Sequence, residues 1–340
     1  MTRFLAGRRP ITPSPARRRL LRAGAGGLIL ATPIRTFAQP APVPARVGFL
    51  SSEAPSQRTQ ETFRSGMREQ GLTEGRQFSM QWGFAEGDYA RLPELATACV
   101  ASGVDVIVAV TTLAVQAARR ATSRLPIVMV GVPDPIGEGF AQSLSRPGGN
   151  VTGLSNIVTE VSVKHLELLH AAVPKLALVA VLLNPLNPSD SLILEQIQGA
   201  AYMRKVKVMV AEASTREQID AGFAAMARAR AEALIVAADA FFDVRREQII
   251  GHTLRNRLPA IFASREMAEA GGLMSYGQDL AEHFRRAAGY VDKILKGTPP
   301  GKLPIEQPTV LEFVVNQRTA AALGLTLPQQ LLLRADSVIG

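Results

Sequence analysis

Short apolar runs rich in β-branched residues alternate, through most of the chain, with longer segments whose apolar residues recur at helical spacing. ARVGFLSS reads as a first strand, and residues 57–70 as a helix closed by Gly71. QFSMQWGFA is a second strand, followed by a helix from an N-cap at Asp88 through Ser102. Next come DVIVAV, a helix beginning near Thr112, IVMVGV, the turn VPDP and a short helix that ends in SRPGGN. DVIVAV and IVMVGV are apolar almost throughout, as parallel strands covered on both faces must be. The alternation restarts after VTGLSN, where a helix over 160–172 precedes LALVAVLLN, and VKVMVA, ALIVAAD and PAIFAS follow as further strands. LMSYG is then a candidate crossing back to the first series. A helix over 280–295, a Gly/Pro-rich connector over 297–308, the strand LEFVVN and a terminal helical segment close the pattern.

Two βα series of similar size predict an α/β protein with two Rossmann-like doubly wound lobes joined by a hinge. The expected boundaries are an export signal over 1–38, a linker over 39–45, lobe 1 over 46–155 and lobe 2 over 156–273. A return to lobe 1 over 274–308 and a C-terminal segment over 309–340 that rejoins lobe 2 complete the division.

Charge changes the picture at the N-terminus. The formal net charge of +9 would suggest a nucleic acid or an anionic membrane as partner. Residues 1–38, however, hold eight arginines and no Asp, Glu or Lys, which leaves 30 basic against 29 acidic residues beyond them. That segment has a basic stretch through Arg22, a short apolar run from Ala23 to Ala31 and a small-x-small site at Thr36-Phe37-Ala38. Cleavage is expected after Ala38, leaving a mature chain near neutrality. Within the segment, ARRRLLR resembles the twin-arginine export pattern, with Arg17 and Arg18 as the pair. The apolar run is far short of the ~20 residues that span a bilayer, so no stable membrane anchor is expected. Cys99, the single cysteine, sits in the apolar stretch LATACVASG and is expected in the core.

Patterns that carry catalysis are missing. There is no Gly-rich phosphate loop ending in Lys-Ser/Thr, no GxGxxG after the first strand and no GxSxG elbow. His165, His170, His252 and His283 all fall in predicted helices without metal-ligand spacing. No enzyme activity, cofactor or metal is expected. Small polar residues recur instead where strands end, which is where ligands bind in open α/β sheets. These are Ser51 and Ser52, Thr111 and Thr112, Asp134 between two prolines, Asn184 with Pro185, and Asp239 ahead of Phe241. Hydroxyls and helix-start amides suit a carboxylate, and the Asp carboxylates an ammonium. The same residues also serve as helix caps. Trp82, Phe84, Phe241, Phe242 and Tyr276 are candidate stacking surfaces or core residues.

PIVMVGVPDPIGEGFAQSLSRPGGNVTGLSN, and later GGLMSYGQDLAEHFRRAAGYVDKILKGTPPGKLPIEQPTVLEFVVNQRTAAALGLTLP, resemble the ABC-transporter substrate-binding family that includes tryptophan- and tyrosine-binding members. The resemblance covers essentially the whole mature chain. It implies a type I periplasmic-binding-protein fold, with two lobes joined by three crossings and a ligand held between them. It also favours Ser51, Ser52, Thr111, Thr112, Asp134, Asn184, Pro185, Asp239 and Tyr276 as cleft positions. Many relatives have Trp before the NP turn, where this chain has Leu183. The expected function is the periplasmic solute-binding component of an ABC importer, a monomer that captures a small organic ligand, best an amino acid and perhaps an aromatic one. Its partners would be a permease and an ATPase of the inner membrane, with no role for nucleic acid. The alternatives are a ligand sensor for a signalling receptor, a repressor-type regulator, or an enzyme.

Overall fold

The structure is a computed structural model that describes residues 44–307 and 309–340. Ala38 and the signal segment lie outside the described residues. The first sheet contains β1 (Ala45–Ser51), β2 (Phe78–Phe84), β3 (Val106–Val110), β4 (Ile127–Val132) and β5 (Val151–Ser155), in the order β2-β1-β3-β4-β5 and parallel throughout. Helices α1 (Gln57–Glu69), α2 (Leu92–Ala101) and α3 (Thr112–Ala121) connect its strands.

The apolar runs are explained by what covers each face. Along β3, Val106, Val108 and Val110 join one buried cluster with Phe49, Phe63 and Phe284, while Ile107 and Ala109 join another with Ala96, Cys99 and Val115. Alternate side chains of one strand therefore enter two separate cores. Cys99 is buried under Gly48, where an added Cβ would lie 2.3 Å from its Sγ. Burial pushes the thiol up to about 11, so it stays protonated.

Three local expectations change. The helix from Asp88 is split into a 3-10 turn at Tyr89–Arg91 and then α2, because Pro93 supplies no amide hydrogen and sits where a helix begins. The segment between β4 and β5 forms turns and no helix: its glycines Gly139 and Gly148 hold positive φ, and Phe140 N donates to Pro135 O at 2.9 Å. VTGLS, which the pattern left unassigned, is strand β5.

The second sheet holds β6 (Leu178–Leu183), β7 (Lys207–Glu212), β8 (Ala233–Val236), β9 (Ala260–Phe262), β10 (Met274–Gln278), β11 (Leu311–Asn316) and β12 (Ser337–Ile339). Its order is β12-β11-β10-β9-β8-β6-β7, parallel except for the β10/β11 pair. α4 (Val158–Ala172) leads into it, and α5 (Asp190–Arg204), α6 (Arg216–Ala229), α7 (Ala240–Val244), α8 (Arg246–Arg255) and α9 (Arg265–Glu269) connect its strands. Here too, Val179, Val181 and Leu183 enter one core and Ala180 and Leu182 the other.

LMSYG does not begin the return to the first lobe at 274. Strand β10 is paired with β9 and β11, so the chain leaves the second sheet only after Gln278. α10 (Leu280–Leu295) then packs on the first sheet against α1, and Gly66 makes that approach possible, since an added Cβ would lie 2.9 Å from Cβ of Ala288. The connector after α10 stays with the first sheet: Thr152 Oγ1 donates to Leu303 O at 2.7 Å and Ser155 N to Glu306 O at 2.9 Å. The chain then re-enters the second sheet as β11, and α11 (Gln317–Ala322) and α12 (Gln329–Leu332) precede β12. Among the described residues no helix is long and apolar enough to cross a membrane.

Candidate functional site

Parallel strands bring their carboxyl ends to one edge of each sheet, and helices begin there with unpaired amides. The two such edges face each other across a cleft of about 210 Å³. Lobe 1 supplies Glu53 after β1, Thr111 and Thr112 after β3, Pro133 after β4 and residues of α1. Lobe 2 supplies Asn187 after β6, Asp239 after β8 and Ser264 after β9. Val110, Val130, Val236, Phe242, Phe262 and Phe284 form an apolar wall. An apolar cavity with a few placed polar groups is the usual form of a small-molecule site.

Thr111 is strained. Its φ of 84° is a conformation that favours glycine, and Thr is β-branched. Two contacts hold it there: Thr111 N donates to Val130 O at 3.0 Å, and its Oγ1 lies 2.6 Å from Oγ of Ser52, which is itself buried. The turn starts α3 at the cleft wall, so the first amides of a ten-residue helix open toward the cavity.

Asp239 binds the two lobes together. One oxygen accepts from Asn184 Nδ2 and from Phe241 N, each at 3.0 Å; the other accepts from Asn187 Nδ2 at 3.0 Å and from Tyr89 Oη at 2.6 Å. Tyr89 comes from lobe 1 and the remaining donors from lobe 2. Burial pushes the Asp239 carboxyl up, while these donors pull it down. With four donors in place its acceptor capacity is filled, so it is a latch in this arrangement and has no lone pair left for a ligand ammonium. Close beside it, Gly87 of lobe 1 holds a φ of 77°, and a Cβ there would lie 2.9 Å from Cα of Phe241. Arg58 of α1 and Glu266 of α9 add a longer, half-exposed pair at 3.7 Å.

The remaining titratable groups are set by burial. Desolvation, with Glu266 nearby, pushes Glu53 up to about 7, and desolvation with Glu53 nearby pushes Asp243 up to about 8. His165 donates from Nε2 to the Tyr276 carbonyl at 2.6 Å, and burial lowers it to about 4, so it lines the cleft as a neutral ring.

Of the residues expected at the site, Thr111, Thr112 and Asp239 line the cleft. Ser52 and Asn184 stand behind them, one against Thr111 and the other against Asp239. Ser51 is buried and accepts from Glu53 N at 3.1 Å. Asp134 is an exposed turn residue that accepts from Gly137 N at 2.8 Å, and Pro185 is exposed beside the NP turn; neither lines the cleft. Phe241 is buried under Gly87, and its neighbour Phe242 takes the wall position. The Tyr276 ring packs near Phe313 at 6.3 Å, on the face of β10 opposite the cleft-lining Gly277. Leu183 likewise enters the core, and Trp82 and Phe84 stack within the cluster around Phe49. The pattern of strand ends gave no sign of Glu53, Tyr89, His165 or Asp243. All but Glu53 lie within helices or helical turns, and only the tertiary fold brings them together.

Comparison with known proteins agrees with this architecture. The chain is 24% identical over 263 residues to a tyrosine-binding protein of Clostridioides difficile strain R20291, covering 77% of this chain and 75% of that one. A crystal structure of an ABC domain in complex with L-Trp from Streptococcus pneumonia superposes with a TM-score of 0.80 at 24% identity, over 87% of this chain and 100% of that one. A conserved domain protein of Vibrio cholerae O1 biovar El Tor gives 0.81 at 27% identity, over 86% and 99%. Residues 48–339 match the family described as ABC transporter substrate binding protein. With the two-lobed fold and the cleft between its sheets, that match places the chain in the ABC transporter substrate-binding protein family.

Proposed function

We propose that this substrate-binding protein is exported with residues 1–38 as its signal, is cut after Ala38, and works in the periplasm as a freely diffusing monomer. It captures an amino acid, best an aromatic one, between the lobes and delivers it to a permease and its ATPase. One observation carries this reading: a cleft walled by both lobes and joined across its rim by the Tyr89–Asp239 hydrogen bond. A ligand that touches both walls binds the closed arrangement better than the open one and shifts the population toward it. The start of α3 offers amides for a carboxylate, and Phe242, Phe262 and Phe284 offer ring contacts. The relatives that carry tyrosine or L-Trp in their names support the aromatic part of the proposal.

The test is the exported chain itself, first sequenced from its N-terminus and then melted with each amino acid in turn. Processing should leave Gln39 first. A ligand at roughly 100 times its Kd adds about 2.7 kcal/mol, which for a chain of this size raises Tm by about 5 °C. X-ray scattering should show a smaller radius with the same ligand. A Tm and a radius that no amino acid alters would reject the assignment.

A further inference from the structure

Resting on the cleft as the ligand site, we propose that Glu53 of lobe 1 and Asp243 of lobe 2 form a subsite for an organic ammonium group, so that the captured ligand must carry a protonated amine.

The two carboxyl groups come from opposite walls of the cavity. Neither forms an ion pair with any described residue, because the guanidinium groups around them are already engaged. Arg58 pairs with Glu266 at 3.7 Å, Arg265 with Glu269 at 2.6 Å and also with Glu312, and Arg245 lies over the Phe241 ring. Asp243 Oδ1 accepts from Ser264 Oγ at 3.0 Å, and no described side chain donates to the Glu53 carboxylate. Asp239, the remaining acid nearby, is saturated by its four donors. Two carboxylates enclosed between the lobes without a cation are costly, and their raised pKa values of about 7 and 8 express that cost.

A group that brings positive charge relieves it. A calcium ion would need six to eight oxygen ligands, and among the described residues no three acids, histidines or cysteines are placed to hold a metal. An alkylammonium has three N–H donors on one compact charge and can bridge one carboxylate from each wall. The cation then ties one lobe to the other. Its arrival favours the ionised carboxylates, so binding releases protons. The groups facing the pair from packed elements are Arg58 on α1, Asp239 beside α7, and Arg265 and Glu266 on α9. None of the four titrates between pH 6 and 8 in a way that would imitate the pair: two are guanidinium groups and Asp239 is held by its donors. Affinity should therefore rise from pH 6 to pH 8, about tenfold per unit for each proton released, and level off above.

The experiment measures calorimetric affinity of the mature chain for tryptophan, tyrosine and lysine, each beside its deaminated acid, at pH 6 and pH 8. We expect an amine-bearing member to bind at least tenfold more tightly than its deaminated partner, more so at pH 8. Glu53→Gln and Asp243→Asn should each weaken that amine tenfold or more and flatten the pH dependence, with unchanged circular dichroism and an unlowered Tm. Equal affinity for both members of every pair, no pH dependence, or indifference to both substitutions overturns the ammonium subsite while leaving the cleft as the site. Thr62→Trp fills the cavity from α1 and should abolish binding. Binding that survives it places the ligand elsewhere and overturns the cleft together with the subsite, as does the failure of all six compounds to bind.

Discussion

Asp239→Ala should destabilise the protein by about 3 kcal/mol and let the lobes part. The carboxylate is 6% exposed, and its removal strands several donors at once. Asn184, 1% exposed, loses the acceptor of its side-chain amide, and Tyr89 and Asn187 lose theirs at the cleft rim. A buried donor left unpaired costs about 1–3 kcal/mol, and losing one member of a buried charged network reaches 3–5 kcal/mol. The cleft gives water access to part of this network, which keeps the expectation at the lower end. Tyr89→Phe separates the two effects, since it removes only the bond between lobes. It should cost about 1 kcal/mol in urea unfolding yet enlarge the radius measured by scattering nearly as much as Asp239→Ala does. If Asp239→Ala unfolds at the wild-type urea concentration with an unchanged radius, the latch assignment is wrong.

Gly153→Ala should be comparably severe for a different reason. Gly153 lies within β5 at a φ of 128°, and an added Cβ would come 2.2 Å from the carbonyl oxygen of Met129 and 2.7 Å from its amide nitrogen. Those atoms belong to the neighbouring strand, so the contact cannot be relieved by turning a side chain. Strain at such a φ costs about 1–3 kcal/mol, and displacing the β4/β5 pairing adds to it, for a total of about 3 kcal/mol or more. β5 also anchors the return segment through Thr152, Ser155 and the Gly153 carbonyl, so the connector after α10 would loosen with it. Gly297→Ala is the control: φ is 94° there too, but no atom lies within 4 Å of the added Cβ, so it should cost about 1 kcal/mol. Thermal melts of the two variants distinguish the clash from the φ penalty, and equal losses would refute the packing argument.

The lobes were legible in the sequence because buried parallel strands must be apolar on both faces, and runs such as VIVAV and LVAVLL have few other uses. β5 was not legible. VTGLS is short, contains a glycine and a hydroxyl, and is strand only because Gly153 lets it close on Met129. The stretch before it carried apolar residues at helical intervals, but its glycines and prolines settle it as turns. At the site, the rule that ligands meet strand ends located Thr111, Thr112 and Asp239. The same rule named Tyr276 and Asp134, because it cannot say which side of a strand faces the cleft or how far a turn projects. Tyr89 and Asp243 acquire their roles from partners far away in sequence, Tyr89 with Asp239 and Asp243 with Glu53. A pattern read along one chain has no term for such pairs.

The path of α10 has a consequence for how the molecule can be taken apart. Lobe 1 is closed by a helix that the chain reaches only after building most of lobe 2, and lobe 2 is finished by strands added after that helix. No truncation point therefore yields a complete lobe. A ribosome must emit residues beyond Leu295 before either core can be finished, so the two halves mature nearly together, late in synthesis. A protease that nicks one connection would leave the lobes joined by the others. For a protein that opens and closes around its cargo, interleaved connections allow the bending motion while withholding separation.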